Sequence, residues 1–210
     1  MKKNSKEAIL KAAILLFNSK GYTGTSIRDI ASTAKVNSAT IAYHFENKAG
    51  LLEYCFTYFF EQYIKKMEEA YSSIEKGAMV CLKRMTADLL HFHCENSQLA
   101  SFIYREMSLD SQMVREIMST YLLKEKYYLQ KVFERGFEWN EFRPHSIPYL
   151  ITQLKGLLMM PFMNTHYMRE VLYVFPNEQF FEQKYLKDLH MWIDKMLCTD
   201  ITRKREAVLK

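Results

Sequence analysis

Apolar residues recur with a period close to 3.6 along almost the whole of this chain, and no sustained alternation of apolar and polar residues interrupts the pattern. A period of 3.6 is typical of amphipathic α-helices, which bury one face. With 210 residues, 49% of them apolar, the chain is long enough to bury a sizeable core. The sequence therefore predicts an all-α protein of one or two compact domains.

Glycines, prolines and capping residues divide this pattern into a series of helices. Three helices are expected near the N-terminus, over residues 5–20, 27–33 and 38–45, and a long fourth helix is expected to run from about residue 48 to about residue 74. Further helices are expected over residues 78–94, 97–107, 111–138, 146–162, 165–174 and 178–198. Pro161 is expected to end the helix that starts at residue 146, because proline has no N–H to donate.

The boundaries of the first three helices are those of a helix-turn-helix. Gly21 follows the first helix as a left-handed cap, and Ser26 with Asp29 forms a capping box that opens the second. Only residues 34–37 separate the second helix from the third. Two short helices joined by so short a turn, after a longer supporting helix, predict a DNA-binding motif.

The excess positive charge of the chain is confined to its first quarter. Residues 1–48 contain 8 Lys or Arg and 3 Asp or Glu, a net charge of +5, whereas residues 49–210 contain 21 of each sign. A small basic module joined to a neutral body is typical of proteins that bind a polyanion. We therefore predict a DNA-binding domain over residues 1–48 and a larger helical domain over residues 49–210.

The third helix is expected to enter the major groove of double-stranded DNA, with its first residues facing the base edges. Small or hydrogen-bonding side chains suit that position, and four are candidates for base contact: Asn37, Ser38, Ala39 and Thr40. Side chains at helix starts and at the far end of the third helix are candidates for phosphate contact. These are Thr25, Ser26, Tyr43, His44 and Lys48.

Residues 7–52 resemble the DNA-binding domain of the TetR family of regulators. The resemblance implies a homodimer that binds a palindromic site, with an N-terminal helix-turn-helix and a C-terminal helical dimerisation and regulatory domain. Most members have Tyr where this chain has Ala42, so that the aromatic phosphate contact falls to Tyr43 or His44, an alternative that the sequence leaves open. The matching residues are Ala12, Phe17, Gly21, Tyr22, Thr25, Ser26, Ile27, Ile30, Ala31, Ala34, Val36, Tyr43, His44, Phe45, Lys48, Leu51 and Leu52.

The family resemblance also implies that two helices near the C-terminus form the dimer interface. Here these are the helices over residues 146–162 and 178–198, whose apolar faces are wider than one small core needs. The alternative is that the same faces close the core of a single chain. The candidate interface residues are Leu154, Leu158, Tyr185, Leu189, Trp192 and Met196.

Many proteins of this family bind a small-molecule inducer among the C-terminal helices. A set of Met and aromatic residues is a candidate lining for such a cavity, although side chains of this kind at helical spacing more often form solid core. The alternative function is therefore a ligand-responsive transcriptional repressor. The candidate lining residues are Phe92, Phe102, Tyr104, Met118, Tyr121, Tyr128 and Phe133.

The larger part of the chain resembles a group of TetR-type proteins of spore-forming bacteria, through residues 103–106, 114–122, 124–127, 153–155, 157–161 and 170–173. This resemblance implies a regulator of FtsZ-ring assembly and of chromosome positioning at sporulation, without an inducer. Four charged residues beside the turn at residues 108–110 form a candidate surface for a protein partner such as FtsZ. They are Arg105, Glu106, Arg115 and Glu116, and ordinary surface ion pairs are the alternative.

The sequence contains no catalytic motif, and we expect neither an enzyme nor a bound cofactor. His91 and His93 are separated by about 200° around a helix and cannot share a metal ion. The longest uncharged stretch, residues 156–168, is too short to span a membrane. The four cysteines have no CxxC spacing and are read as reduced thiols. We therefore expect a cytoplasmic, nucleoid-associated homodimer.

Overall fold

The computed structural model describes residues 2–198, and within this range the chain forms nine α-helices and no β-strand. The prediction of an all-α protein is confirmed. A 3-10 turn follows the fourth helix (Ile74–Lys76), and a π-helical turn precedes the ninth (Tyr167–Val171). The helices are α1 (Lys2–Lys20), α2 (Ile27–Ala34), α3 (Ser38–Phe45), α4 (Lys48–Tyr71), α5 (Ala78–Glu95), α6 (Ser97–Ser108), α7 (Gln112–Glu138), α8 (Ile147–Met163) and α9 (Gln179–Leu197).

The prediction that Pro161 ends its helix is wrong, because α8 continues to Met163. Proline removes one backbone donor and therefore leaves the carbonyl of Leu157, four residues earlier, without its helical partner. The hydroxyl of Tyr185 on α9 donates to that carbonyl at 2.7 Å. A side chain of a neighbouring helix thus replaces the missing bond. The helix predicted over residues 165–174 is shorter than expected: the chain is helical over residues 165–171, and residues 167–171 of this segment form the π-helical turn.

The N-terminal helices α1, α2 and α3 pack on one another around fully buried side chains such as Ile9, Phe17, Ile30 and Ile41. The predicted caps are present at their ends. Gly21 has a φ of +76°, and the hydroxyl of Ser26 accepts from the Asp29 N–H while the Asp29 carboxylate accepts from the Ser26 N–H. These local interactions fix where α1 ends and α2 begins.

Helices α4–α9 form the larger body of the structure. α4 lies against α5 and α7, α6 lies against α8, and α5 lies against α9. α1 also packs on α6, so that the N-terminal helices rest on the body rather than hanging from a linker. Among the helices of residues 2–198, none is both long enough and apolar enough to cross a membrane.

The turn after α7 depends on a close contact between a glycine and an aromatic ring. The fully buried ring of Phe142 lies directly against Gly136, and a Cβ atom added at residue 136 would overlap that ring. The N–H of Phe142 also donates to the Gly136 carbonyl at 3.0 Å. Residue 136 must therefore be glycine if the chain is to turn back on α7 here.

We expect Gly136→Ala to lower the free energy of unfolding by about 3 kcal/mol, because the added methyl group overpacks the contact with Phe142. Urea unfolding at a fixed protein concentration measures the effect. The control is the same substitution in a Phe142→Ala background, where the ring is absent and the added methyl should cost much less. If Gly136→Ala lowered the free energy of unfolding equally in the two backgrounds, the Phe142 ring would not be the reason that residue 136 must be glycine.

Candidate nucleic-acid interface

The turn between α2 and α3 positions the third helix. Lys35 adopts a left-handed conformation with a φ of 55°, and the Val36 N–H donates to the Ala31 carbonyl at 3.0 Å. The side-chain oxygen of Asn37 then accepts from the Ala39 N–H at 2.9 Å and caps α3. Ile41 and Phe45 are buried and hold α3 on the other N-terminal helices. This arrangement leaves the opposite side of α3 facing solvent.

The predicted base-contact residues lie at the start of α3, but they differ in exposure. Asn37 and Ala39 are exposed, whereas Ser38 and Thr40 are half-buried. Ala42 is also exposed, one helical turn after Ala39. The outer side of α3 therefore carries short, apolar side chains near its centre. The helix backbone can therefore come close to the floor of a groove.

Tyr43 and His44 point in different directions. The Tyr43 side chain is 71% exposed on the outer side of α3. The His44 ring is half-buried against α1, where its Nε2 lies 3.2 Å from the Ser5 hydroxyl. The geometry therefore favours Tyr43 for contact with the DNA phosphate backbone. His44 instead lies in the contact between α1 and α3.

The two candidates at the start of α2 differ in accessibility. Thr25 is 1% exposed, and its hydroxyl donates to the Gly21 carbonyl at 2.8 Å. The Thr25 side chain therefore holds the turn between α1 and α2 and does not reach a phosphate, which corrects the prediction. Ser26 is exposed at the N-terminus of α2 and keeps its predicted position at the surface.

Lys48 does more within the chain than the sequence indicated. Its ammonium group donates to the carbonyls of Tyr22 and Thr25, at 3.0 Å each, and lies 4.5 Å from the centre of the Tyr22 ring. An ammonium group has three donors, so that one remains for a phosphate oxygen. Lys48 thus ties the start of α4 to the turn between α1 and α2.

The four charged residues that were predicted to form one partner surface lie in two different environments. Glu106 is 8% exposed, and Arg105 donates to the Phe17 carbonyl at 2.7 Å, so that both belong to the contact of α6 with the N-terminal helices. Arg115 and Glu116 are exposed on α7, where Arg115 pairs with Asp110 at 3.0 Å. The prediction of a single exposed patch is corrected accordingly. Only Arg115 and Glu116 remain available on that surface.

The six predicted interface residues on α8 and α9 divide into two groups. Leu154, Leu158 and Leu189 are buried by the chain's own helices and belong to its core, as the alternative interpretation expected. Tyr185, Trp192 and Met196 are only half-buried. The outward side of the two helices carries other apolar residues that are well exposed, namely Tyr149, Met160, Met163, Phe180 and Met191.

The residues predicted to line a cavity belong to the packed core or lie against it instead. Five of them are at most 3% exposed, and the other two are half-buried. The clefts found in the structure are lined by different residues. The five buried residues are Phe92, Phe102, Tyr104, Met118 and Phe133, and the half-buried ones are Tyr121 and Tyr128.

Five polar residues meet within the body, one from each of α4 to α8. On one side, the Tyr63 hydroxyl donates to the Glu125 carboxylate at 2.7 Å, and Lys155 pairs with the same carboxylate. On the other, Nδ1 of His93 donates to the Leu89 carbonyl at 2.6 Å. Its Nε2 must then accept from the Tyr104 hydroxyl. Within the described part of the chain, no buried polar side-chain atom lacks a hydrogen-bond partner, so that this cluster carries no unpaired buried group.

Burial governs the ionisation of this cluster. Complete burial lowers the pKa of His93 to about 4, and burial together with the Glu125 charge raises the pKa values of Tyr63 and Tyr104. His91, in contrast, is exposed and lies 3.0 Å from Glu182 on α9. The two histidines therefore lie on different sides of α5, and the part of the chain that the structure describes contains no group of three or more potential metal ligands.

Comparison with known proteins identifies the family. The model of bacterial regulatory proteins of the tetR family matches residues 9–55. YttP of Bacillus subtilis, named a probable HTH-type transcriptional regulator, is 42% identical over 200 residues, which cover 95% of this chain and 97% of the relative. This chain belongs to the TetR family.

Other known proteins share either the first part of the sequence or the fold. IcaR of Staphylococcus epidermidis, a negative regulator of the biofilm operon icaADBC, is 35% identical over 71 residues, or 32% of this chain and 38% of its own. The crystal structure of PfmR from Thermus thermophilus has a TM-score of 0.76 at 19% identity and covers 90% of this chain and 97% of that chain. AibR in complex with isovaleryl coenzyme A and operator DNA has a TM-score of 0.73 at 17% identity, covering 91% of this chain and 97% of AibR.

Membership of the TetR family decides the general class of function. The chain is a helix-turn-helix transcriptional regulator and not an enzyme. TetR proteins bind DNA and form homodimers. The two low-identity structures establish the fold alone, an N-terminal helix-turn-helix followed by a helical body.

We expect the stability of this TetR protein to fall as the pH falls from about 6.5 to 4. His93 has a pKa of about 4 when folded and an ordinary value of 6.5 when unfolded, so that the unfolded chain binds more protons in this window. Urea unfolding should show a loss of about 2–3 kcal/mol between pH 7 and pH 4.5 that is due to this residue.

The matched variant is His93→Gln, which keeps a donor and an acceptor but does not titrate. Its stability should fall less than that of the wild type over the same window, by about the amount assigned to His93. Equal losses in the two proteins would contradict the assignment.

Proposed function

We propose that this chain is a sequence-specific DNA-binding homodimer that recognises palindromic chromosomal sites through α3. The observation that carries the proposal is the exposed side of α3, capped by Asn37 and held on a basic N-terminal module. A domain boundary near residue 48, where α4 starts, is part of the same proposal. Such a protein acts in the cytoplasm, at the nucleoid.

Each residue of the interface has a distinct role in this proposal. Asn37 and Ala39 face the base edges, with Ser38 and Thr40 beside them, and methyl groups here suit contact with thymine. Tyr43 and Ser26 contact phosphates, and the free donor of Lys48 adds a third phosphate contact. The phosphate contacts set the position of α3, and the base contacts set its sequence preference.

The dimer is proposed to form on the outward side of α8 and α9. Tyr149, Met160 and Met163 fall on one side of α8 at helical spacing, and Phe180 and Met191 are exposed on α9. Pairing this side with its copy hides apolar surface that a single chain leaves in water. It also brings two copies of α3 into successive major grooves when they lie about 34–36 Å apart.

We expect substitutions of base-contact and phosphate-contact residues to change DNA binding in different ways. Thr40→Ala should change which sequences are preferred, whereas Lys48→Ala should weaken binding to all sequences and reduce the slope of log affinity against log salt concentration by about 1. Sites selected from random DNA by the full-length protein, followed by fluorescence anisotropy at several salt concentrations, measure both effects.

Because Lys48 also holds the turn between α1 and α2, the experiment needs a control for folding. Thermal unfolding of the Lys48→Ala variant measures how much stability is lost with the two carbonyl contacts. Lys48→Arg keeps the charge and should therefore keep most of the salt dependence of DNA binding. A Lys48→Ala variant that is folded and has the wild-type affinity and salt slope would contradict the phosphate contact.

A more specific role rests on the resemblance of the body to RefZ, a TetR-type protein of spore-forming bacteria. We propose that the DNA-bound dimer also regulates assembly of the FtsZ ring and helps to position the chromosome during sporulation. The remaining exposed charges of the candidate surface, Arg115 and Glu116 on α7, are the proposed contact with FtsZ. Arg115 lies at the surface beside the turn that ends α6, where a large partner has access.

We expect Arg115→Ala to weaken binding to purified FtsZ by at least about 5-fold and to leave DNA affinity unchanged, because an exposed charge on a protein surface affects mainly the partner that contacts it. Co-sedimentation with FtsZ polymers measures the interaction. Arg135→Ala is the control, since Arg135 is exposed farther along α7 and pairs with Glu138. Wild-type protein that neither binds FtsZ nor alters its polymers would exclude this role.

The second candidate function is a ligand-responsive repressor. The complex of AibR with isovaleryl coenzyme A and operator DNA supports it, because a protein of the same fold there holds a small molecule together with DNA. In this chain the closely packed aromatic residues of the body favour the first candidate. An inducer that lowers operator affinity would favour the repressor, and binding at a few sites outside promoters would favour the chromosome-positioning role.

A further inference from the structure

A cleft of about 380 Å³ lies where α1, α6 and the connection between α8 and α9 meet, and its lining includes the apolar residues Leu15, Phe162 and Pro176. Arg105 projects into it from α6, and Arg169 projects from the π-helical turn of the connection. π-helical turns occur often at functional sites. Further hydrogen-bonding side chains along its walls include Ser19, Ser101, Thr165 and Asn177.

The charge of this cleft is unusual for this protein. Two guanidinium groups line it, and none of the described residues that line it is acidic. Within residues 2–198 neither Arg105 nor Arg169 forms an ion pair at contact distance. Glu106 does not line the cleft, but it interacts with Arg105: burial raises the pKa of Glu106, and the Arg105 charge opposes that rise. Elsewhere in the body, arginines are neutralised by a nearby acid, as in the pairs Arg84–Asp88, Arg115–Asp110 and Arg135–Glu138. The cleft therefore concentrates positive charge that the rest of the body balances.

The donors in the cleft match a particular class of ligand. A guanidinium group presents a planar fork of N–H donors that suits phosphate oxygens, and two forks with several hydroxyl groups exceed what one carboxylate can accept. A phosphate group carries close to two negative charges at neutral pH and has three or more acceptor oxygens. The volume of the cleft is at the small end of the range for ligand sites.

The same residues attach the DNA-binding helices to the body. Arg105 donates to the carbonyl of Phe17 near the end of α1, and Asn18 donates to the carbonyl of Gln98 on α6 at 2.8 Å. The Phe17 ring stacks on Phe102 of α6, with 4.9 Å between the ring centres. The Phe17 carbonyl and an anion in the cleft would both accept N–H donors of the same guanidinium group.

We propose that this cleft binds a small phosphate-bearing anion and that this binding lowers the affinity of the protein for DNA by drawing Arg105 away from Phe17. The second part rests on the proposed DNA-binding function, whereas the first part does not. By thermodynamic linkage, DNA must weaken binding of the anion by the same factor.

The site is tested first without DNA. Calorimetric titration of the full-length protein with inorganic phosphate, and separately with ribose 5-phosphate, at constant ionic strength should show saturable binding. Arg169→Ala should weaken binding at least 10-fold, and Arg105→Lys, which keeps the charge but loses the fork, should weaken it less. Arg135→Ala, at an exposed arginine outside the cleft, should have no effect.

Tighter binding of ribose 5-phosphate would identify an organic phosphate as the ligand, and equal binding would identify the phosphate group alone; both results support the site. Two results would overturn it. One is the absence of saturable binding of either compound by the wild type, and the other is equal binding by the Arg169→Ala and Arg135→Ala variants.

The coupling is tested on a DNA site selected by the wild-type protein. A saturating concentration of the compound that binds should reduce DNA affinity at least 5-fold at matched ionic strength, and should leave the Arg169→Ala variant unaffected. If the compound left the DNA affinity of the wild type unchanged, the coupling would be refuted. The calorimetric titration would still show whether the anion site exists. If the protein bound no DNA at all, the proposed function would be refuted. The calorimetric test of anion binding does not involve DNA and would remain valid.

Discussion

The contact between α1 and α6 is the constraint on which the rest of this structure depends. α1 carries the helix-turn-helix on one side and packs on the body with the other. Phe17 links the two sides: its ring is fully buried and stacks on Phe102, and its carbonyl accepts from Arg105. Because side chain and backbone of one residue are both held, α1 cannot shift on the body without losing packing and a charge-assisted hydrogen bond together.

A second contact joins the recognition helix to the body through the start of α4. Gly50 lies so close to the end of α3 that a Cβ atom there would overlap the Phe45 carbonyl oxygen. Lys48 meanwhile donates to two carbonyls of the turn between α1 and α2. The first residues of α4 therefore contact both the end of α3 and the turn between α1 and α2. The N-terminal helices and the body are mechanically coupled at two places, α1–α6 and the start of α4.

The interior of the body relies on polar residues that satisfy one another. His93 with Tyr104, and Glu125 with Tyr63 and Lys155, bring together five successive helices around aromatic packing. A buried polar group that loses its partner costs free energy, so that each of these bonds favours one arrangement of the helices. The same aromatic residues that suggested a cavity in the sequence thus fill the space between these helices. The clefts lie elsewhere: two border α1, one lies between α7 and α8, and one lies along α9.

The sequence by itself determined the helices, the caps and the helix-turn-helix, because periodicity and capping depend on residues within one or two turns of each other. Ser26 and Gly21 act as their local patterns predicted. Only the tertiary structure decided which side chains face solvent. Thr25 and Glu106 are buried, and His44 turns towards α1, because other helices pack beside them. The pairing of Arg105 with the Phe17 carbonyl joins residues 88 positions apart, and no local pattern encodes which distant helix lies next to a charged residue.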